Sequence, residues 1–259
     1  MSARLHAIEA GSPDAPTLVL LHGFGGHAAS WSEVLGHLPT GVRVISFDLP
    51  GHAGSLNYPG FGSPRTAALA VLNELTTRGI RKAHIAGHSM GGAVAVLIAL
   101  EDPAVVQSLT LVAPGGFGPE MDGQALRDFA EARTAEELGR AYAAMMAPDA
   151  IADPDMISAL FSVHARPGQK EALHKILERI SRGTGQGELP LGALQKWQFP
   201  ACLLWGMLDT IVPFAQSANA PDWFLRAAIP GKGHMLLDEA PQKVAAALLD
   251  QLRKSPRTA

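Results

Sequence analysis

The sequence predicts an α/β fold: a mostly parallel twisted sheet flanked by helices, with a helical cap inserted between two strands. Three observations predict it. Short apolar runs alternate with helical patterns, as they do when the crossovers of a parallel sheet are helices. That alternation stops between residues 114 and 198, where helical periodicity takes over. A glycine-flanked turn, Gly87-His88-Ser89-Met90-Gly91, joins an apolar strand pattern to a long apolar helix pattern.

Leu5–Ile8 and Thr17–Leu21 read as strands, and a helical pattern near Trp31–Leu38 leads to a third strand at Arg43–Phe47. Glycines and prolines in Asn57–Pro64 mark an irregular loop. Ser63-Pro64 then starts a helix over Pro64–Thr77, serine as cap and proline at the first helical position. Ala83–Ala86 is a short buried strand, Met90–Leu100 a helix apolar enough to be buried all round, and Ser108–Val112 the next strand. Helical patterns follow at Ala125–Ala132, Ala135–Met146, Met156–Val163 and Lys170–Ile180, punctuated by Asp153-Pro154 and Arg166-Pro167-Gly168. The sheet resumes with Ala201–Trp205 and Trp223–Ala228, accompanied by helices at Ala215–Asn219 and Pro241–Arg253. Residues 1–113 and 199–259 are therefore expected to form one core, and residues 114–198 a cap over the carboxyl ends of the strands, where open α/β sheets bind ligands.

Composition excludes several function classes. Hydrophobic residues at 47% against 17% charged exclude a disordered chain. A net charge of −3 with no basic stripe excludes nucleic acid as a partner. The cluster Arg253, Lys254 and Arg257 reads as a solvated end. Cys202, the single cysteine, cannot form an internal disulfide, and its strand context makes it a small core hydrophobe rather than a reactive thiol. No apolar stretch precedes Thr17, so no secretory signal is expected, and the longest apolar runs are too short to cross a bilayer. A cytoplasmic protein with a small-molecule partner, and neither nucleic acid nor membrane, follows as the expectation. Oligomeric state is left open.

The turn around Ser89 has the residue types that a nucleophile held in a strained geometry requires. Glycines two positions before and after leave room for the kink, and the serine hydroxyl is pushed out at a helix N-terminus. A serine needs a base, and the base an orienting acid. Asp209 lies just past a strand's carboxyl end, and His234 lies in the glycine-flanked loop Pro230-Gly231-Lys232-Gly233-His234-Met235 after the last strand. Parallel strands all end on one edge, so both loops are expected to open beside Ser89. The order Ser, Asp, His is that of the nucleophile-elbow class.

With these motifs in view, the chain resembles the α/β-hydrolase fold family over almost its whole length. His22-Gly23-Phe24-Gly25-Gly26, Asp48-Leu49-Pro50-Gly51-His52, Gly87–Gly92, Leu204–Pro213 and Gly233-His234 carry the resemblance. It implies Ser89 as nucleophile, His234 as general base and acid, Asp209 as orienting carboxylate, and the backbone amides of Phe24 and Met90 as the oxyanion hole. It implies no cofactor. At a finer level, Leu109–Glu120 resembles the hydrolase-type domain of acetoin dehydrogenase acyltransferase subunits. Those subunits carry a lipoyl domain ahead of this one; the sequence opens directly on the sheet, so membership of such a complex is not expected.

Other residues carry plainer readings. His22 and His88 suit buried structural hydrogen bonding, and His52 packing in its turn. His27, His37, His164 and His174 lack ligand-like spacing with Asp, Glu or Cys, so no metal site is assigned. Ser89 as a structural serine in a glycine turn stays open. Asp238 and Glu239 rival Asp209 but suit a surface or helix-capping role. The family's other position for the acid reads Ala113-Pro114-Gly115-Gly116 here, without a carboxylate. Met145 and Met146, with Phe129 and Phe161, suit either a substrate pocket or ordinary cap packing, and Phe117 and Met235 are favoured as pocket residues because they lie near the catalytic edge in sequence.

A serine argues against the dehalogenase and epoxide-opening chemistries that use an aspartate. The carbon–carbon bond hydrolases resembled by this class usually have an aromatic residue after the catalytic histidine, where this chain has Met235. Hydrolysis of a small to medium, largely uncharged ester or thioester through an acyl-enzyme is the expected activity. Two alternatives remain: acyl transfer from the same intermediate, and a non-catalytic ligand-binding protein on this fold.

Overall fold

The computed structural model describes residues 3–197 and 199–254. Gln198, at the expected core–cap boundary, and Arg257 of the basic end lie outside the described residues. Seven strands form the main sheet: β1 (Ala7–Ala10), β2 (Thr17–Leu21), β3 (Arg43–Phe47), β4 (Ala83–His88), β5 (Val106–Val112), β8 (Ala201–Gly206) and β9 (Leu225–Ile229). Their spatial order is β1-β3-β2-β4-β5-β8-β9. Every pairing is parallel except β1 against β3.

Strand alternation builds two cores, one on each face. Val19 and Leu21 of β2, Ile45 and Phe47 of β3, and Leu203 and Trp205 of β8 face one side. There they meet Val71 and Leu75 of α2 (Pro64–Thr77) and Val94 and Ile98 of α3 (Met90–Glu101). Leu18, Leu20, Val44, Cys202 and Leu204 face the other side. Their partners are Trp31, Val34 of α1 (Ser32–Leu35), Leu236 and Leu237 of α8 (Leu236–Glu239), and Val244 and Leu248 of α9 (Pro241–Leu252). Because helices cover both faces, β2 is buried at all five positions. Cys202 is buried in the second core, and burial pushes its thiol up to about 11.

Between β5 and β8 the chain forms α4 (Gly123–Glu131), α5 (Ala135–Ala143), α6 (Pro154–His164) and α7 (Gln169–Ile180). Asp122, Thr134 and Asp153 cap the first three, each accepting from amides in its helix's first turn. A two-stranded hairpin, β6 (Ser181–Arg182) with β7 (Gly185–Gln186), follows where only helical patterns were expected. Gln186 anchors it: its Oε1 accepts from the Gly116 amide at 2.9 Å and its Nε2 donates to the Gly118 carbonyl at 3.0 Å.

Several boundaries differ from the sequence expectation. The first strand is Ala7–Ala10 rather than Leu5–Ile8, because the Leu5 amide donates to the buried Glu74 carboxylate instead of a strand neighbour. The last is Leu225–Ile229 rather than Trp223–Ala228, since Trp223 and Phe224 turn inward and pack ring against ring. The Trp31–Leu38 pattern resolves into a 3-10 turn at Ala28–Trp31 and the single turn of α1, and the helix expected at Ala215–Asn219 is a 3-10 helix over Phe214–Asn219. Finally, α5 stops at Ala143, so Met145 and Met146 leave the helix and approach the loop of His234.

Candidate active site

Ser89 stands between β4 and α3 with φ 51° and ψ −118°, a conformation that costs a side-chain-bearing residue on the order of 1–3 kcal/mol. The surrounding glycines leave no alternative. A Cβ on Gly87 would stand 2.1 Å from the Gly91 carbonyl oxygen, and one on Gly91 would stand 2.3 Å from that of Leu21. The turn is held by the Ser89 amide donating to Val112 at 2.9 Å and by the Gly115 amide donating to Ser89 at 3.0 Å.

The structure brings Ser89, His234 and Asp209 together from three strand ends. Ser89 Oγ lies 2.9 Å from His234 Nε2, and His234 Nδ1 lies 2.8 Å from Asp209 Oδ2. Asp209 also accepts from the amides of Ile211 (2.9 Å) and Val212 (3.0 Å) on Oδ1 and from the Trp205 indole N–H (3.1 Å) on Oδ2. These donors fix the carboxylate plane and leave Oδ2 aimed at the imidazole. Both His234 and Asp209 are buried.

Three further histidines brace this arrangement. His88 Nε2 donates to the His234 backbone carbonyl at 2.9 Å. His22 Nε2 accepts from the Leu49 amide at 2.9 Å and His52 Nε2 from the Gly25 amide at 3.2 Å, tying the Gly23–Gly26 turn to the Asp48–His52 turn. His52 thus does more than pack. Burial pushes all three down to about 3, so they stay neutral and these bonds persist. The Gly23 backbone lies against the nucleophile, where an added Cβ would come 3.2 Å from Ser89 Cβ. Neither the Phe24 nor the Met90 amide has a backbone partner among the described residues, and both residues border the space beside Ser89.

Asp238 and Glu239, expected at the surface or as caps, are drawn inward. The Asp238 carboxylate accepts from the Tyr142 hydroxyl, and burial raises it to about 6. Glu239 does cap α8 by accepting from the Met235 amide at 3.1 Å. It also accepts from Gly233 and Ala147, both at 3.0 Å, and so bonds the histidine loop to the helical insertion. The His234 amide donates to Met145 across the same seam at 3.0 Å. No sequence pattern announces the contacts of this loop to Tyr142, Met145 and Ala147, because each crosses more than 80 residues.

Ser89 opens on two cavities. The larger, about 340 Å³, is bounded by His234, Met235, Phe129, Met145, Met156 and Leu160 among others. The smaller, about 210 Å³, runs past Met90, Ala93, Leu97, Met121, Ile180 and Val212. Met145, Met235 and Phe129 therefore line a cavity. Phe117, Met146 and Phe161 border neither of these two cavities. Phe117 is 1% exposed because its turn folds it beneath the sheet edge against Trp205, 5.9 Å between ring centres. Met146 is buried, its backbone against Gly233, and Phe161 stacks on His164. Among the described residues no three of His, Cys, Asp and Glu group as a metal site, and no helix is long and apolar enough to cross a membrane.

A model of the alpha/beta hydrolase family matches residues 18–247. The chain belongs to the alpha/beta hydrolase family. Two relatives are named as dihydrolipoyllysine-residue acetyltransferase components of acetoin cleaving systems, in keeping with the finer resemblance of Leu109–Glu120. One, from Pseudomonas putida, is 34% identical over 96% of this chain and 67% of its own length. The other, from Cupriavidus necator, is 32% identical over 85% and 59%. The chain thus spans about two thirds of these curated relatives. Among solved structures, a 2-hydroxy-6-oxo-6-phenylhexa-2,4-dienoate hydrolase from Rhodococcus superimposes with a TM-score of 0.84 at 24% identity, covering 96% of this hydrolase-family chain and 95% of that one. At that identity the likeness speaks to fold alone.

Proposed function

We propose that the protein is a serine hydrolase acting on a small to medium, largely uncharged carboxylic ester or thioester. The observation that carries this is the continuous contact from Ser89 Oγ through His234 to Asp209, at 2.9 and 2.8 Å. In this reading Nδ1–H donates to Asp209, leaving the Nε2 lone pair to take the serine proton. Ser89 Oγ bonds to the carbonyl carbon, and the oxygen's developing charge meets the amides of Phe24 and Met90. His234 returns the proton to the leaving oxygen or sulfur as that bond breaks, giving the acyl-enzyme. Water, deprotonated by His234, then attacks the acyl carbon, and Ser89 departs with the proton. The helical insertion acts as a cap, supplying Phe129, Met145, Met156 and Leu160 to the chamber over the serine.

The test is turnover of acyl esters and thioesters of graded length by the wild type and Ser89→Ala. The wild type should hydrolyse members of the panel, and the variant should fold normally and be inactive; wild-type-like turnover by the variant overturns the assignment. A second reading, acyl transfer to an acceptor other than water, is favoured by the acetyltransferase names of the 34% and 32% identical relatives. Adding a small dithiol acceptor separates the two: transfer yields the acylated dithiol, hydrolysis only the free acid.

A further inference from the structure

The two cavities that meet at Ser89 differ in charge, and this difference bears on the substrate. Ser89, Phe24 and Leu126 border both and form the waist between them. His234 borders only the larger cavity. Under the serine-hydrolase reading, the leaving atom must lie within hydrogen-bond reach of His234 Nε2, so the leaving group occupies the larger cavity and the acyl chain the smaller. The larger carries the carboxylates of Glu33, Asp153 and Asp238. The smaller is mostly apolar, with Ser63 and Gln186 in its wall, and is bordered by Arg65, Arg179 and Arg182, with Glu188 as its carboxylate.

These arginines are not equivalent. Arg65 is committed to Glu101, with Nε 2.8 Å from Oε1. Arg179 and Arg182 form no ion pair among the described residues. Arg182 is held in place by one nitrogen, Nη1, which donates to the carbonyls of Ser181 (2.7 Å) and Arg179 (3.2 Å) at the end of α7. That leaves Nε and Nη2 for an anion, on a guanidinium that has already lost much of its freedom.

We propose that the acyl group of the preferred substrate is an apolar chain ending in a carboxylate, which Arg182 and Arg179 bind at the rim of the smaller cavity. The inference rests on the serine-hydrolase reading and changes its largely uncharged substrate at one point: the far end of the acyl chain is anionic. The three carboxylates of the other cavity repel a polyanionic leaving group, so the leaving group is neutral or cationic.

The experiment compares mono-p-nitrophenyl esters of adipic, suberic and sebacic acids with p-nitrophenyl esters of the monocarboxylic acids of equal length. The wild type should favour the hemi-ester at one of these lengths by about tenfold in kcat/KM, as one charge-assisted hydrogen bond at a partly solvated rim provides. In the double variant Arg179→Gln/Arg182→Gln the ratio should fall to about one. A wild type that hydrolyses both series equally, or favours the neutral esters, overturns this inference and leaves the serine-hydrolase reading standing. So does a hemi-ester preference that survives the double substitution. If neither series acylates Ser89, as read by intact mass, both fall.

Discussion

The Nε2–H of His88 donates to the backbone carbonyl of His234 across 2.9 Å, so the residue before the serine holds the loop that carries its partner. The two rings lie 5.0 Å apart, His88 buried behind His234. His88→Leu would leave that carbonyl buried and unpaired, costing about 1–3 kcal/mol of stability. It should also let the imidazole drift, lowering kcat about tenfold or more with little change in KM. His88→Gln, which keeps a donor, should recover part of kcat. Equal kcat in the wild type and the leucine variant would contradict the positioning role.

Asp209→Asn should leave the fold intact and lower kcat by about 10³–10⁴-fold, because an amide in that place no longer favours the tautomer with Nε2 free. Steady-state kinetics beside a circular-dichroism spectrum checks this.

Gly87→Ala places a methyl 2.1 Å from the Gly91 carbonyl oxygen, where no flexible side chain is available to yield. We expect a loss of about 3 kcal/mol or more in urea unfolding. Gly192→Ala, which meets nothing within 4 Å, serves as control and should stay within about 0.5 kcal/mol of wild type.

His22, His52 and His88 are each pushed down by burial to about 3, against about 6.5 in the unfolded chain. Between those values the unfolded state binds more protons. Their contribution is therefore complete above about pH 6.5 and is lost as pH falls towards about 3, each at up to about 1.4 kcal/mol per pH unit. Urea midpoints compared at about pH 7 and about pH 5, above the range where ordinary carboxylates titrate, should show the decline. A flat profile would mean these histidines are charged or solvated in the folded protein.

The sequence makes the sheet, the helices between β5 and β8 and the Ser89 turn legible for one reason: each depends on short-range pattern. Leu18 to Leu21 alternate between faces because the backbone pleats, and Gly87 and Gly91 are demanded by contacts within one turn. The meeting of Asp209 and His234 is legible one step further, since parallel strands end on one edge. Pocket lining is not legible in this way. Met145 and Met146 are adjacent and leave α5 together, yet the first borders the serine's larger cavity and the second is buried without bordering it. Phe117 lies near the catalytic edge in sequence but packs beneath Trp205. The β6–β7 hairpin has only two residues per strand, too few for any period, and depends on the bonds of Gln186 to Gly116 and Gly118.

Labelling with a fluorophosphonate tests the central claim most directly, because the reagent phosphonylates a serine only where a base activates it. One equivalent should attach to the wild type, a peptide map should place it on Ser89, and Ser89→Ala should take up none. A folded wild-type protein that stays unlabelled, or a label found on another serine, would contradict the account.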